Sequence, residues 1–293
     1  MLGTIGMGDT TMKTLLLVAT GLGSLSLLLG SVQAADRGGA AAATPAQGMP
    51  ACGARGPQPR LTDEEKQARL QALQKAAATG DACSEFELGR AYGSGQLGPT
   101  DKAKSFELLK KAVDQGYTRA YGDLGLLYFN GTGVAQNYGQ AMQYLLKATD
   151  AGDMKSPRYV GMMYEGGKGI AADAKQAANY YQLAADHGDI TGQCLLGSLY
   201  ERGVGVQRSF DLAEQWYLKS QQRGDDVAAP AMASLGNLYE IRTDGKRNEQ
   251  TALSWYRKAV DAGVADAKND VERLSTTHRA PAAGRNECLL HFH

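Results

Sequence analysis

A leucine–glycine pair returns along this chain at a fixed interval. Leu88-Gly89, Leu124-Gly125, Leu196-Gly197 and Leu235-Gly236 occupy one phase, with Val160-Gly161 in the same register. Successive pairs lie 36, 36, 36 and 39 residues apart. A period near 36 marks a chain built from stacked structural repeats, since one such unit cannot bury its apolar face alone. The period also bears on function. A stack of repeats presents a long continuous surface more readily than a catalytic cleft.

Other positions keep the same phase. Tyr92, Tyr128, Tyr164, Tyr200 and Tyr239 follow the glycines by three, and Ser84, Ala120, Ser156, Gly192 and Ala231 precede the Leu or Val by four. Small residue, Leu and Tyr at i, i+4 and i+8 share one helical face, which predicts a first helix, A, in each unit. Gly95, Gly131, Gly167 and Gly203 then end it, because glycine accepts the positive φ of a helix C-terminus. A second helix, B, carries Ala141, Ala177, Ala213 and Ala252, with Leu108-Leu109, Tyr144-Leu145, Tyr180-Tyr181, Trp216-Tyr217 and Trp255-Tyr256 at its centre. It closes at Gly116, Gly152, Gly188, Gly224 and Gly263. Repeat five places its three extra residues around Asp225 to Pro230 and has Arg242 where the first turn glycine stands elsewhere, so its loop should be less regular.

These residues resemble the Sel-one-like repeat family of tetratricopeptide-like proteins. Repeat two carries the pattern in Leu124-Gly125, Tyr128 and Gly131-Thr132-Gly133-Val134, and repeat four in Leu196-Gly197, Tyr200, Gly203-Val204-Gly205-Val206 and Trp216-Tyr217. The resemblance covers roughly residues 80 to 274. It implies an all-α fold: a right-handed αα-solenoid of five helix-turn-helix repeats with a capping helix at each end. Family members serve as scaffolds and as immunity or inhibitor proteins. Some secreted ones, with a disulfide in each helix pair, are linked to penicillin binding and β-lactam hydrolysis. No repeat of this chain holds two cysteines.

The expected organisation is a signal peptide at 1–34, a linker rich in Ala, Gly and Pro at 35–60, a capping helix at 61–79, repeats at 80–263, a second capping helix at 264–274 and a tail at 275–293. Lys13, the apolar run Leu15 to Leu29 and the exit Ser31-Val32-Gln33-Ala34 form the tripartite pattern of an export leader. Together with the resemblance to a bacterial repeat family, they predict a mature chain that is periplasmic or secreted, without membrane attachment. Leu61-Thr62-Asp63-Glu64-Glu65 opens the first capping helix, with Thr62 or Asp63 as N-cap and acids in the first turn.

Chemistry-bearing patterns are sparse. The chain has no Gly-x-Ser-x-Gly, Ser-x-x-Lys, His-Glu-x-x-His or Cys-x-x-Cys. The turns such as Gly167-Lys168-Gly169 superficially resemble phosphate loops, but they follow helices and recur with the repeat. His187 precedes a helix-ending glycine, where a cation is mildly favoured. The terminal tract Cys288 to His293 holds metal-capable atoms without a scaffold. No catalytic residue, metal or cofactor is therefore assigned. Four cysteines, Cys52, Cys83, Cys194 and Cys288, allow three pairings. Cys83 and Cys194 stand about three repeats apart, at ~8–10 Å per helix layer, beyond the ~7 Å Cα limit of a disulfide. The preferred pairs are Cys52–Cys83 and Cys194–Cys288.

In solenoids of the resembled type the inner face is read from helix A at Leu−5, Leu−2, Leu+2 and Leu+5. Those positions supply Phe86, Arg90, Arg119, Leu126, Phe129, Lys155, Arg158, Met162, Glu165, Ser198, Glu201, Asn237 and Glu240 as the candidate groove. Its first half is basic and aromatic, and its second half carries a ladder of glutamates. With 31 basic and 31 acidic residues overall, no global field attracts nucleic acid. The expected function is a monomeric, non-enzymatic scaffold that binds a protein or peptide partner in this groove. The alternatives are an immunity or inhibitor protein and, by family analogy, a β-lactam hydrolase.

Overall fold

The computed structural model describes residues 61–276 and Cys288. The expected signal peptide, the linker with Cys52 and most of the tail lie outside them. Within the described residues the chain forms twelve α-helices and no strand. They are α1 (Asp63–Ala77), α2 (Ala82–Ser94), α3 (Lys102–Asp114), α4 (Ala120–Asn130), α5 (Tyr138–Asp150), α6 (Ser156–Gly166), α7 (Ala174–Asp186), α8 (Ile190–Arg202), α9 (Phe210–Ser220), α10 (Ala229–Ile241), α11 (Glu249–Asp261) and α12 (Ala267–Ser275). Even-numbered helices from α2 to α10 are the A helices, and the odd-numbered one after each is its B partner. Each A helix packs on its own B helix and on the B helix before it, while α1 and α12 close the two ends. The chain is thus an all-α solenoid of five helical hairpins.

Local chemistry sets the helix ends. Thr62 caps α1 through a capping box with Glu65. Each B helix starts at an oxygen-bearing residue, Asp101, Asn137, Asp173, Ser209 or Asn248, whose side chain accepts from a first-turn amide. The backbone N–H of that cap residue donates to the carbonyl of the phased tyrosine, from Asp101 to Tyr92 through to Asn248 to Tyr239. One bond per repeat therefore fixes where helix B begins relative to helix A. The second turn glycine seats one repeat on another. A Cβ on Gly133 would strike the Lys102 carbonyl, and one on Gly205 the Ala174 carbonyl, each at the start of the preceding B helix. Both glycines also hold φ near +70°, at 73° and 71°.

The Leu-Gly glycine is where the two helices of a hairpin touch. A Cβ on Gly125 would lie 2.9 Å from Leu145 Cγ, and one on Gly197 2.8 Å from the Tyr217 ring. Repeats three to five use a tyrosine at this contact, Tyr181, Tyr217 and Tyr256, whereas repeats one and two use Leu109 and Leu145. Each buried tyrosine must satisfy its hydroxyl. Tyr181 donates to Glu165 at 2.7 Å, Tyr217 to Glu201 at 2.7 Å and Tyr256 to Glu240 at 3.2 Å.

Repeat five departs from the others as its sequence suggests. A 3-10 turn, Gln221–Arg223, extends α9. The residue ending α10, Arg242, is extended rather than left-handed. Its side chain is fully buried and bridges three acids: Glu214 at 2.8 Å, Asp211 at 2.8 Å and Asp244 at 2.7 Å. A guanidinium network replaces the glycine turn.

Candidate binding face

The A helices present the candidate groove, and its two halves differ. At the four groove positions of α2, α4 and α6, only Phe86, Phe129 and Arg158 are buried. At the same positions of α8 and α10, all eight residues are buried.

The first half is open. Phe86, Arg90, Arg119, Leu126, Lys155 and Tyr159 line a cavity of about 460 Å³ between α2, α4 and α6. The Arg90 guanidinium lies 5.5 Å from the centre of the Phe86 ring and 3.6 Å from the Asp123 carboxylate. Arg119 and Lys155 enter no ion pair among the described residues. They stand at the N-termini of α4 and α6, where neither caps the helix through its side chain. Asp153 takes that role for α6, accepting from the Ser156 amide at 2.8 Å. The rim thus holds two cations outside any described ion pair beside aromatic and aliphatic surface, and Met154 adds an exposed apolar side chain. Arg158 contributes nothing to this rim. It is buried, with its Nε 3.7 Å from Asp189 and its guanidinium 4.7 Å from the Tyr159 ring. Burial raises the Asp189 carboxyl above its ordinary pKa, against the Arg158 charge that lowers it. Phe129 is also interior, under the Lys168 ammonium at 5.0 Å. Met162 is half-buried.

The second half differs from the expected acidic surface. Glu165 is half-buried and accepts from Tyr181 and from Arg202 at 2.9 Å. Glu201 is buried and accepts from Tyr217 and from Asn237 Nδ2 at 2.8 Å. Desolvation raises its pKa despite those donors. Glu240 is buried between Tyr256 and Arg273, whose Nη2 approaches to 2.7 Å. The glutamates are acceptors for buried tyrosines, so their charge is spent inside the stack. Ser198 is buried as well, beside the Arg202 Nε at 3.2 Å. The signal that marks these glutamates is their spacing of sixteen from each tyrosine, not their place on the groove.

Cys194 and Cys288 form a disulfide with Cα atoms 5.8 Å apart. Cys83 is likewise disulfide-bonded, and its expected partner Cys52 lies outside the described residues. Among the described residues no three His, Cys, Asp or Glu side chains come together as a metal site, and no helix is long and apolar enough to cross a membrane. The glycine-rich turns that resemble phosphate loops have their second glycine against the preceding repeat, as Gly169 is against Tyr138.

The Sel1 repeat family matches five stretches of the chain, residues 84–117, 118–153, 158–189, 190–225 and 229–264. No curated protein matches it. Among solved structures, a protective antigen of uropathogenic Escherichia coli is 32% identical over 69% of this chain, with a TM-score of 0.62. The alignment spans 43% of that antigen, less than half its length. A Sel1 repeat protein from Oxalobacter formigenes is 30% identical over 70% of this chain and 82% of its own, also with a TM-score of 0.62. An immunity protein from Pseudomonas aeruginosa aligns over 64% of this chain and 67% of its own at 24% identity and a TM-score of 0.43, too loose a fit to bear on function.

Proposed function

The chain belongs to the Sel1 repeat family, and from that premise we propose that it is a non-enzymatic scaffold that captures a polypeptide partner on the face formed by α2, α4 and α6. The cavity beside Arg119 and Lys155 supports this reading most directly. Two cations that form no ion pair among the described residues, next to Phe86, Leu126 and Tyr159, complement a segment bearing carboxylates and apolar side chains. Charge complementarity of this kind steers association and sets register. The solenoid supplies the rest by holding three A helices at fixed spacing. The leader-like residues 13–34 support a periplasmic site of action. N-terminal sequencing of the mature protein that still found Leu15 to Leu29 would refute it.

The test uses a fluorescein-labelled peptide of alternating Glu and Leu, followed by anisotropy. Arg119→Glu together with Lys155→Glu should weaken its binding roughly tenfold or more, with helicity retained. Lys75→Glu with Lys268→Glu, on the exposed sides of α1 and α12, should change it little, since exposed charges far from a partner are screened. Equal binding by both double variants would remove this face from consideration.

A further inference from the structure

The open half of the groove also fixes the shape of its partner, given the polypeptide-binding role proposed above. Arg119 and Lys155 occupy one position of successive A helices, five residues before Leu124 and Val160. One helix spacing of about 8–10 Å therefore separates them. Between them α4 lacks a side chain. The central groove position, two residues before the phased Leu or Val, holds Phe86, Arg158, Cys194 and Ala233 in the other repeats but Gly122 here. A Cβ on Gly122 would come 3.1 Å from Ser156 Oγ and 3.5 Å from Asp153 Oδ2, so the gap lies on the seam between α4 and α6. Glycine is unfavourable within a helix, and this one is not the hairpin contact, which belongs to Gly125. What it leaves is depth in the cavity that Leu126 and Tyr159 also line.

A matching partner offers a carboxylate, an apolar knob and a second carboxylate, with the two acids one helix spacing apart on one face. An α-helix does this at i and i+7, which lie about 10.5 Å apart and within about 20° of each other, with the knob at i+3 or i+4. A strand does not, because its same-face residues fall about 6.6 Å apart at i, i+2 and about 13 Å apart at i, i+4. An extended segment would also bring backbone N–H and C=O groups that need partners once buried. The described residues form no sheet edge, and no Asn or Gln, which could donate and accept at once, lines the cavity. A helix arrives with its backbone already bonded.

We propose that the face over α2, α4 and α6 takes an acidic amphipathic helix of a partner protein. Its carboxylates at i and i+7 meet Arg119 and Lys155, and an apolar side chain between them seats over Gly122.

Two labelled Ala-rich peptides of about twenty residues, long enough to be helical, test this on the wild-type protein. They share one composition and are matched in helicity by circular dichroism. The first has Glu at i and i+7 with Leu at i+4. The second has Glu at i and i+5, about 140° apart round the helix. By anisotropy the first should bind roughly tenfold or more tightly than the second, and more tightly than the alternating Glu and Leu peptide. Gly122→Leu should abolish that preference by filling the seat. Equal affinity of the two helical registers, or tighter binding of the alternating peptide, overturns the helical partner. The open-face reading survives that result if Arg119→Glu with Lys155→Glu still weakens whichever peptide binds. Binding indifferent to the double variant overturns both.

Discussion

At the scale of single residues, the least forgiving positions are the glycines where the hairpin helices touch. At Gly197 a side chain would have to enter the space of the Tyr217 ring, which is itself fixed by Glu201. Neither ring nor backbone can yield cheaply. Gly197→Leu should therefore cost roughly 2–3 kcal/mol or more by overpacking, read as a lowered midpoint in urea. Gly188 makes a useful contrast. It has φ 87° and nothing within 4 Å of a Cβ, so Gly188→Ala meets only backbone strain, about 1–2 kcal/mol. A Gly197 variant no less stable than this one would show that the contact is loose. Such glycines are legible in the sequence because one residue type recurs at one phase. The fate of Glu201 and Glu240 is not legible that way. Periodicity tells which face a residue is on, while the partners that bury it, such as Asn237 for Glu201 and Arg273 for Glu240, come from the next repeat or cap.

At the scale of elements, the turns decide most. The helices and glycine turns follow from spacing alone, because small residue, Leu and Tyr can line up only at helical pitch. The capping residues of the B helices recur in the same phase, but as Asp, Asn or Ser, so their identity hides the repeat although their chemistry does not. Repeat five shows what happens when a turn glycine is lost. Arg242 gathers Asp211, Glu214 and Asp244, and its guanidinium holds the Asp244 carboxyl down to about 2. Because this folded pKa lies below the ordinary carboxylate value, the unfolded chain takes up the proton first as pH falls. The contribution is complete above about pH 4 and is lost as pH falls towards 2. Arg242→Ala should lower stability by roughly 2 kcal/mol at neutral pH, since the freed carboxylates are partly solvated and relax into water. It should also remove part of the acid dependence below pH 4. Melting curves from pH 2 to 7 that stayed parallel for wild type and variant would show that the network does not titrate as a unit. At Glu201 the direction is opposite. Burial raises its pKa, so that site gains stability as pH falls through the folded value.

At the scale of the whole molecule, the stack is less uniform than its period suggests. At its groove positions the A face is largely open in three repeats and buried in two, and a disulfide ties α8 to Cys288. The hairpin contacts also change partway along. In repeats one and two, glycine meets leucine, and Gly93 and Phe129 occupy the place that Glu165, Glu201 and Glu240 hold further on. From repeat three, glycine meets a tyrosine whose hydroxyl needs that glutamate. The repeats consequently form two exchange classes. Helix B of one tyrosine repeat should substitute for another, so residues 174–186 replaced by the sequence of 249–261 should melt within a few degrees of wild type. The sequence of 174–186 placed at 138–150 should fare worse, because its tyrosine would arrive opposite Phe129 with no carboxylate to accept its proton. If both grafts melted alike, tyrosine and glutamate would be interchangeable with leucine and phenylalanine one position at a time. If they melt differently, a repeat can be transplanted only as a matched set, and any lengthening of this array by duplication would have to copy whole hairpins of one class beside their own kind.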